Sequence, residues 1–402
     1  MKKIRDNTAI TLIALVITII ILLILAGITI SLTIGQRGIL NRAQEAGKNY
    51  EEVAKKEEEE LNQFFEEVDN VINGTIGSGE ESDWTEPYTI TSKDNYEDKL
   101  GKKATIPKGF QVSKKQGENE VDKGLVVREA ITKNEYVWVP CAENAENGSI
   151  KYDRYLFDSQ VFAGIDESTN SMKIKENSDT AVYRVEAMPT IQGTKTELDS
   201  VKAYGGFYIG RYEVGIVGYD TNVVTSNDGN LENWTGYTNG TPVVQKGKQV
   251  WNYITREKAK EIAEGMYDDN DEVISRLCSS YAWDTTLTFI KTNHPNYTTH
   301  NTQDNFLGTT FSYTDLEGNT QTKEKDSGIL VPTGQVVAVN NIYDMGGNAS
   351  EWTSEANSNA NPFVARGGAF SNAIVDAGCR SGVTRFYVDI GRTFRQTLFL
   401  AM

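Results

Sequence analysis

The chain is expected to fold as an α+β protein, irregular and loop-rich, behind a long N-terminal helix. Three observations predict this. Residues 10–32 form an uncharged apolar run. Beyond residue 84 the pattern turns to short apolar runs between Gly and Asn turns, with two stretches of helical period. The composition, with 35 Gly, 8 Pro, 39% hydrophobic and 10% aromatic residues in 402, suits a turn-rich globular body rather than a disordered polymer. That length supports two or more domains with a sizeable core. A formal charge of −16 argues against nucleic acid as a partner, because no basic surface is present to neutralise phosphates.

The N-terminal helix is read from Lys2, Lys3 and Arg5 followed by "AITLIALVITIIILLILAGITI", with no charge between Asp6 and Arg37. From Ile10 to Leu32 a helix extends about 35 Å, enough for a hydrocarbon core of about 30 Å. Residues 1–36 are therefore expected to span a membrane, with the N-terminus cytoplasmic and the C-terminal body outside. A buried core helix and a secretory signal are the alternatives; the apolar run is longer than a signal's, and no A-x-A site follows it.

This stretch resembles the start of a type IV pilin or pseudopilin. The resemblance implies peptidase cleavage between Ala9 and Ile10 and pilin or pseudopilin subunits as partners. It departs from that pattern twice, with Ala9 where Gly is usual and Ala14 where the pairing Glu is usual. Membrane anchoring is unaffected by either change.

Residues 37–73 follow as a charged helical stalk. Ala46, Tyr50, Val53, Leu61, Phe64, Phe65 and Val68 recur at threes and fours and make one narrow apolar stripe. A self-associating coiled coil is the alternative, interrupted by Glu57–Glu60. The segment 74–84 reads as a flexible Gly/Ser/acidic linker, 85–135 as a small β-rich lead-in, and 136–402 as the main body.

Within the body, "GLVVREAITKNEYVWVP" (124–140) suggests a hairpin turning at Lys133-Asn134. "GGFYIGRYEVG" (205–215) alternates through Phe207, Ile209, Tyr212 and Val214. At 255–265, "TREKAKEIAEG" has a capping Thr255 and a terminating Gly265, and "YAWDTTLTFIKT" (281–292) gives a second helix. The C-terminal part is Gly-rich and irregular, and "NIYDMGGNASEWT" (341–353) packs carboxylates between glycine turns. Such a stretch suits a hard-cation loop, an active-site floor, or a tight turn with Trp352 in the core.

"GFYIGRYEV", "RLCSSYAWDTTL", "NIYDMGGNASEWT", "RGGAF" and "TFRQTLFL" occur in that order. The ordered set resembles the formylglycine-generating enzyme (sulfatase-modifying factor) family, whose fold is of the C-type lectin type. The match is strongest over the last 70 residues and leaves 141–204 and 293–328 uncovered. The resemblance implies a calcium ion held by the side chains of Asp344 and Glu351 and the backbone carbonyls of Gly347 and Ala349. Calcium favours six to eight hard oxygens in a flexible loop, which this mixture supplies.

The family's catalytic members bind Cu(I) through two cysteines spaced Cys-x4-Cys after the "RGG" turn, because a soft metal takes soft thiolates. Asn372 and Ala377 stand at those places here, so no copper is expected. Of three cysteines (141, 278, 379) at least one stays outside any intramolecular disulfide, and small buried hydrophobes are their simplest use. His294 and His300 form a two-His metal site only if carboxylates such as Asp304 are brought in by folding. No nucleophile elbow, phosphate loop or zinc pair is present. No catalytic residue is assigned.

With the scaffold retained and the thiols absent, recognition is the expected use. The segment 370–394 carries Asn372, Asp376, Arg380, Arg385, Phe386, Tyr387 and Asp389, a mixture of aromatics and charges that binding surfaces favour. A solvated loop with Phe386 in the core is the alternative. Its place between "RGG" and "FR" resembles the diversified segment of variable proteins from diversity-generating retroelements. The expected protein is thus a membrane-anchored, pilin-like bacterial surface protein binding a protein or glycan ligand without catalysis. An extracytoplasmic enzyme of the same family with altered chemistry and a structural minor pilin are the alternatives.

Overall fold

The computed structural model describes residues 83–402 apart from 146–148, 156, 158–164, 167–170, 173–186, 226–232, 296, 298–303, 357–362, 374–376 and 384–386. The chain divides into two compact units, Met1–Gly79 and Glu80–Met402. The membrane helix, stalk and Ala9–Ile10 cleavage site expected from the sequence lie outside the described residues. Among the described residues no helix is long and apolar enough to cross a membrane.

The second unit is mostly short strands, with few helices and long loops, so the α+β, loop-rich expectation agrees with it. Its frame is a six-stranded antiparallel sheet. In chain order the strands are β1 (Phe110–Val112), β2 (Val126–Glu129), β3 (Glu135–Pro140), β4 (Gly206–Gly210) and β5 (Val273–Leu277). A second sheet supplies β6 (Ser350–Ala356), β7 (Phe363–Arg366), β8 (Arg380–Val383) and β9 (Arg392–Phe394), and β10 (Gln396–Leu400) returns to the first. The large sheet runs β5-β10-β4-β3-β2-β1 and the small one β8-β7-β6-β9, with β6 and β9 parallel. The expected lead-in and main body share the large sheet, since β2 pairs with β3 and β3 with β4.

Successive residues of a strand point to opposite faces, and both faces of the large sheet are buried. Tyr136, Trp138, Tyr208, Leu398 and Leu400 enter one core; Val137, Val139, Phe207, Ile209 and Phe399 enter the other. Burial on both faces explains why "YVWV", "FYI" and "TLFL" are continuous apolar runs. The first core also takes Trp352, Ala365 and Phe394 of the small sheet. Two helices pack on the second core, α1 (Glu197–Tyr204) through Val201 and α3 (Ser280–Asn293) through Trp283, Leu287 and Ile290. A further helix, α2 (Arg256–Gly265), packs on the first through Ala259 and Ala263.

Each helix begins on a side-chain cap. Thr255 accepts from the Lys258 amide, Ser279 from Ala282, and Thr196 forms a reciprocal pair with Asp199. Two sequence expectations are adjusted. "GFYIGRYEV" is not one alternating strand: β4 ends at Gly210, and the chain bends at Arg211. The helix α1 falls in a stretch for which no element was expected.

Candidate functional site

The loop 340–349 leaves regular structure because its residues can. Asn340, Asn341, Asp344, Gly347 and Asn348 all have left-handed backbone, with φ between 47° and 76°, a region Asn, Asp and Gly tolerate best. A Cβ on Gly347 would lie 2.7 Å from the Asn305 carbonyl oxygen, so the strand-like bridge between these two residues requires glycine.

Side-chain amides hold the loop in place. Asn341 Nδ2 donates to the carbonyls of Gly117 and Gly124. Asn348 Nδ2 donates to Glu213 Oε2 and the Val331 carbonyl, while its Oδ1 accepts from Asn305 Nδ2 and the Val331 amide. Each of its four hydrogen-bonding positions is used, which a fully buried amide demands.

The loop closes over buried carboxylates. Glu213 accepts from the Ala349 amide at 3.0 Å. Asp344 Oδ2 accepts from the Gly334 amide at 2.9 Å, while Oδ1 is buried and has no hydrogen bond. Glu351 is gripped by the Arg395 guanidinium through Nε and Nη2. One arginine thus faces three buried acids. Burial raises Asp344 to about 6 and Glu351 to about 7, against the pull of Arg395. Burial raises Glu213 well above the usual range, with Asp344 and Glu351 adding to it. Asp304, also buried, is raised by burial and then by Asp344.

The calcium set expected from the sequence fits this arrangement only in part. Asp344 Oδ1 is the kind of atom a hard cation would satisfy. Glu351, in contrast, has both oxygens committed to Arg395. Among the described residues no group of three His, Cys, Asp or Glu side chains is placed to hold a metal ion. Gly347 and Ala349 are buried beside these acids, their amides donating to the Gly367 carbonyl and Glu213.

A second buried ionic cluster frames the segment 366–395. Arg366 donates to Asp284 Oδ1 at 2.6 Å and to Glu355 Oε2 at 3.2 Å. Arg380 donates to Glu355 Oε1 at 3.0 Å and to Asp284 Oδ2 at 2.5 Å, and Arg154 joins through Glu355. Burial would raise Asp284, but Arg366 and Arg380 outweigh it and hold the carboxyl below its usual range. Arg380, expected to contact ligand, sits inside this cluster. Its guanidinium is buried and tied to two carboxylates, so it is part of the frame.

The other expected ligand contacts divide. Asn372 is exposed, its Oδ1 accepting from the Ala369 amide. Tyr387 is half-buried beneath the Arg392 guanidinium, 5.0 Å from the ring centroid, and Asp389 lies 3.5 Å from Arg392 Nε. Asp376, Arg385 and Phe386 lie outside the described residues. Cys141 and Cys278 are buried and Cys379 is half-buried. Ala377 is buried and its carbonyl accepts from Trp283 Nε1. His294 caps the end of α3; His300 lies outside the described residues.

Sequence reasoning missed Glu213, Arg395, Asp284, Glu355 and Arg366 as a polar interior. The available signal was a charge set within an apolar run, as in "RYEVGIV" and "SYAWDTTL", since a buried charge needs a partner.

The fold and site together define a loop-rich α+β body with a cross-braced asparagine loop over buried acids. No protein-family model and no curated protein matches the chain. Solved structures similar to part of it include two of note. One is CarF, with 12% identity, a TM-score of 0.30, and 54% of this chain and 94% of that chain covered. The other is Treponema denticola variable protein 1, with 10% identity, a TM-score of 0.25, and 48% and 95% covered. Similarity of that extent carries no argument about activity.

Proposed function

We propose that the second unit is a ligand-binding body of C-type lectin-like layout, carried at the cell surface by an N-terminal membrane helix, which binds a protein or glycan without turning it over. The observation that carries this reading is the contrast between frame and loop. Arg366 and Arg395, at the two ends of the segment 366–395, are fully buried in ion pairs. Between them Ser371, Asn372 and Ala373 are exposed. A fixed frame with an open loop suits recognition, because loop residues can change without cost to the core. Asn372 and Ala377 offer no sulfur for copper. The retroelement reading extends this: the exposed positions between the two arginines are the ones open to diversification.

Calcium at Asp344 and peptidase cleavage at Ala9–Ile10 belong to the same proposal. Selection of ligands on the purified chain from peptide and glycan libraries tests it. The expected result is a saturable ligand whose binding is lost on replacing Asn372, Tyr387 or Asp389. Oxygen-dependent aldehyde formation on a cysteine-containing peptide with copper would instead assign the chain to the enzymes. A near-repeat of the 3′ coding segment beside the gene is expected for a diversified protein.

A further inference from the structure

A groove of about 660 Å3 opens beside the segment 387–392, lined by Tyr237, Trp251, Tyr253, Ile262, Met266 and Val388 among others. Tyr253 is a bulky residue held with φ 51°, and its amide donates to the Asp389 carbonyl at 3.1 Å. A backbone conformation this unfavourable persists only where surrounding contacts impose it, so the groove is a built feature.

Apart from the tyrosine hydroxyls and the Trp251 indole N–H, the polar side chains lining the groove are Asn239, Thr255 and Lys258, and each makes a hydrogen bond or ion pair. Asn239 donates to Asp220, Thr255 caps α2, and Lys258 pairs with Glu261 at 2.6 Å. For a sugar's many hydroxyls this lining offers few polar partners. Apolar and aromatic side chains lose nothing there.

The turn after α2 leads directly into a second, acidic pocket of about 330 Å3. Gly265 and Met266 line the groove, while Glu264, Asp268 and Asp271 line the pocket. The Asp268 carboxylate sits at the junction, 3.7 Å from where a Cβ on Gly265 would lie. Glu264 is paired with Lys260 and Arg276. Asp268 and Asp271 are exposed and make no ion pair among the described residues. Apolar surface therefore passes into uncompensated negative charge across one turn of chain.

We propose that this groove docks a polypeptide segment in which apolar or aromatic residues are followed by Lys or Arg, the former filling the groove and the latter meeting Asp268 and Asp271. This names the partner's chemistry and rests on the ligand-binding reading above. The test uses the full-length chain in lipid nanodiscs, with empty discs subtracted. The probes are fluorescein-labelled nonapeptides: one with a run of Leu and Phe followed by a run of Lys, one with Glu for Lys, and one with Ser for Leu and Phe.

The first probe is expected to saturate and to bind at least tenfold more tightly than the other two. Asp268→Lys with Asp271→Lys, both at exposed positions, is expected to weaken it at least tenfold without shifting the melting temperature. Met266→Trp, which fills the groove, is expected to weaken it similarly. Equal binding of the three probes, or indifference to the charge reversal, overturns the proposal. Saturable binding of chitotetraose with none of the first probe overturns the peptide assignment and leaves the ligand-binding reading standing. The latter falls separately, when library selection yields no ligand at all.

Discussion

Asp344 keeps one carboxylate oxygen on the Gly334 amide and leaves the other buried without a hydrogen bond. Together with Glu351 and Glu213 it holds protons in the folded state that the unfolded chain releases nearer pH 4. Raised carboxyls contribute stability that is complete below about pH 4 and is lost as pH rises through 6 to 7. Thermal melts in EDTA are therefore expected to show a midpoint that falls between pH 5 and 8, with a flatter profile in Asp344→Asn. Calcium at ten times a millimolar-range Kd would add about 1.4 kcal/mol to the wild type. The same addition is expected to leave Asp344→Asn unmoved; an equal gain in both places the ion elsewhere. In the other cluster, Glu355→Ala strips one acid from three arginines and is expected to cost about 3–5 kcal/mol in urea unfolding. These pairings were illegible in the sequence because the partners lie far apart along it, Glu351 from Arg395 and Asp284 from Arg366. Spacing reports only what is local.

At the scale of elements, local chemistry was legible where it is repeated. Thr255 before an apolar period, and Gly265 after it, marked α2 within one residue of its observed bounds. The hairpin of β2 and β3 was marked by Lys133-Asn134, and Lys133 does take left-handed backbone. The helix α1 went unread although Thr196 and Asp199 form a capping box, because its eight residues bury only one face against the sheet. In 205–215 an apparent alternation hid a strand buried on both faces and a bend at Arg211, whose guanidinium pairs with Glu118 and Glu135. Caps as local as these are expected to act locally. Thr196→Ala, at the cap of α1 and away from the groove, should lower stability by about 1 kcal/mol, read by denaturant melts, with the binding groove's probe affinity unchanged.

For the whole molecule, the large sheet and both cores are contained in Glu80–Met402. A chain beginning at Glu80 is expected to unfold in one cooperative transition by circular dichroism; a broad, gradual melt would show that residues 1–79 are needed for that fold. Composition and the apolar runs announced a loop-rich α+β body. The strand order was not legible, because it is set by pairings between β4 near residue 208 and β10 near residue 398.

That pairing has a temporal side. The strand β10 comes after every other in the chain, yet it lies between β4 and β5 with neighbours on both edges. Until residues 396–400 take their place, β4 and β5 have no strand between them, so the sheet stays open through its middle. A polypeptide lacking residues 396–400 would keep that gap and never close.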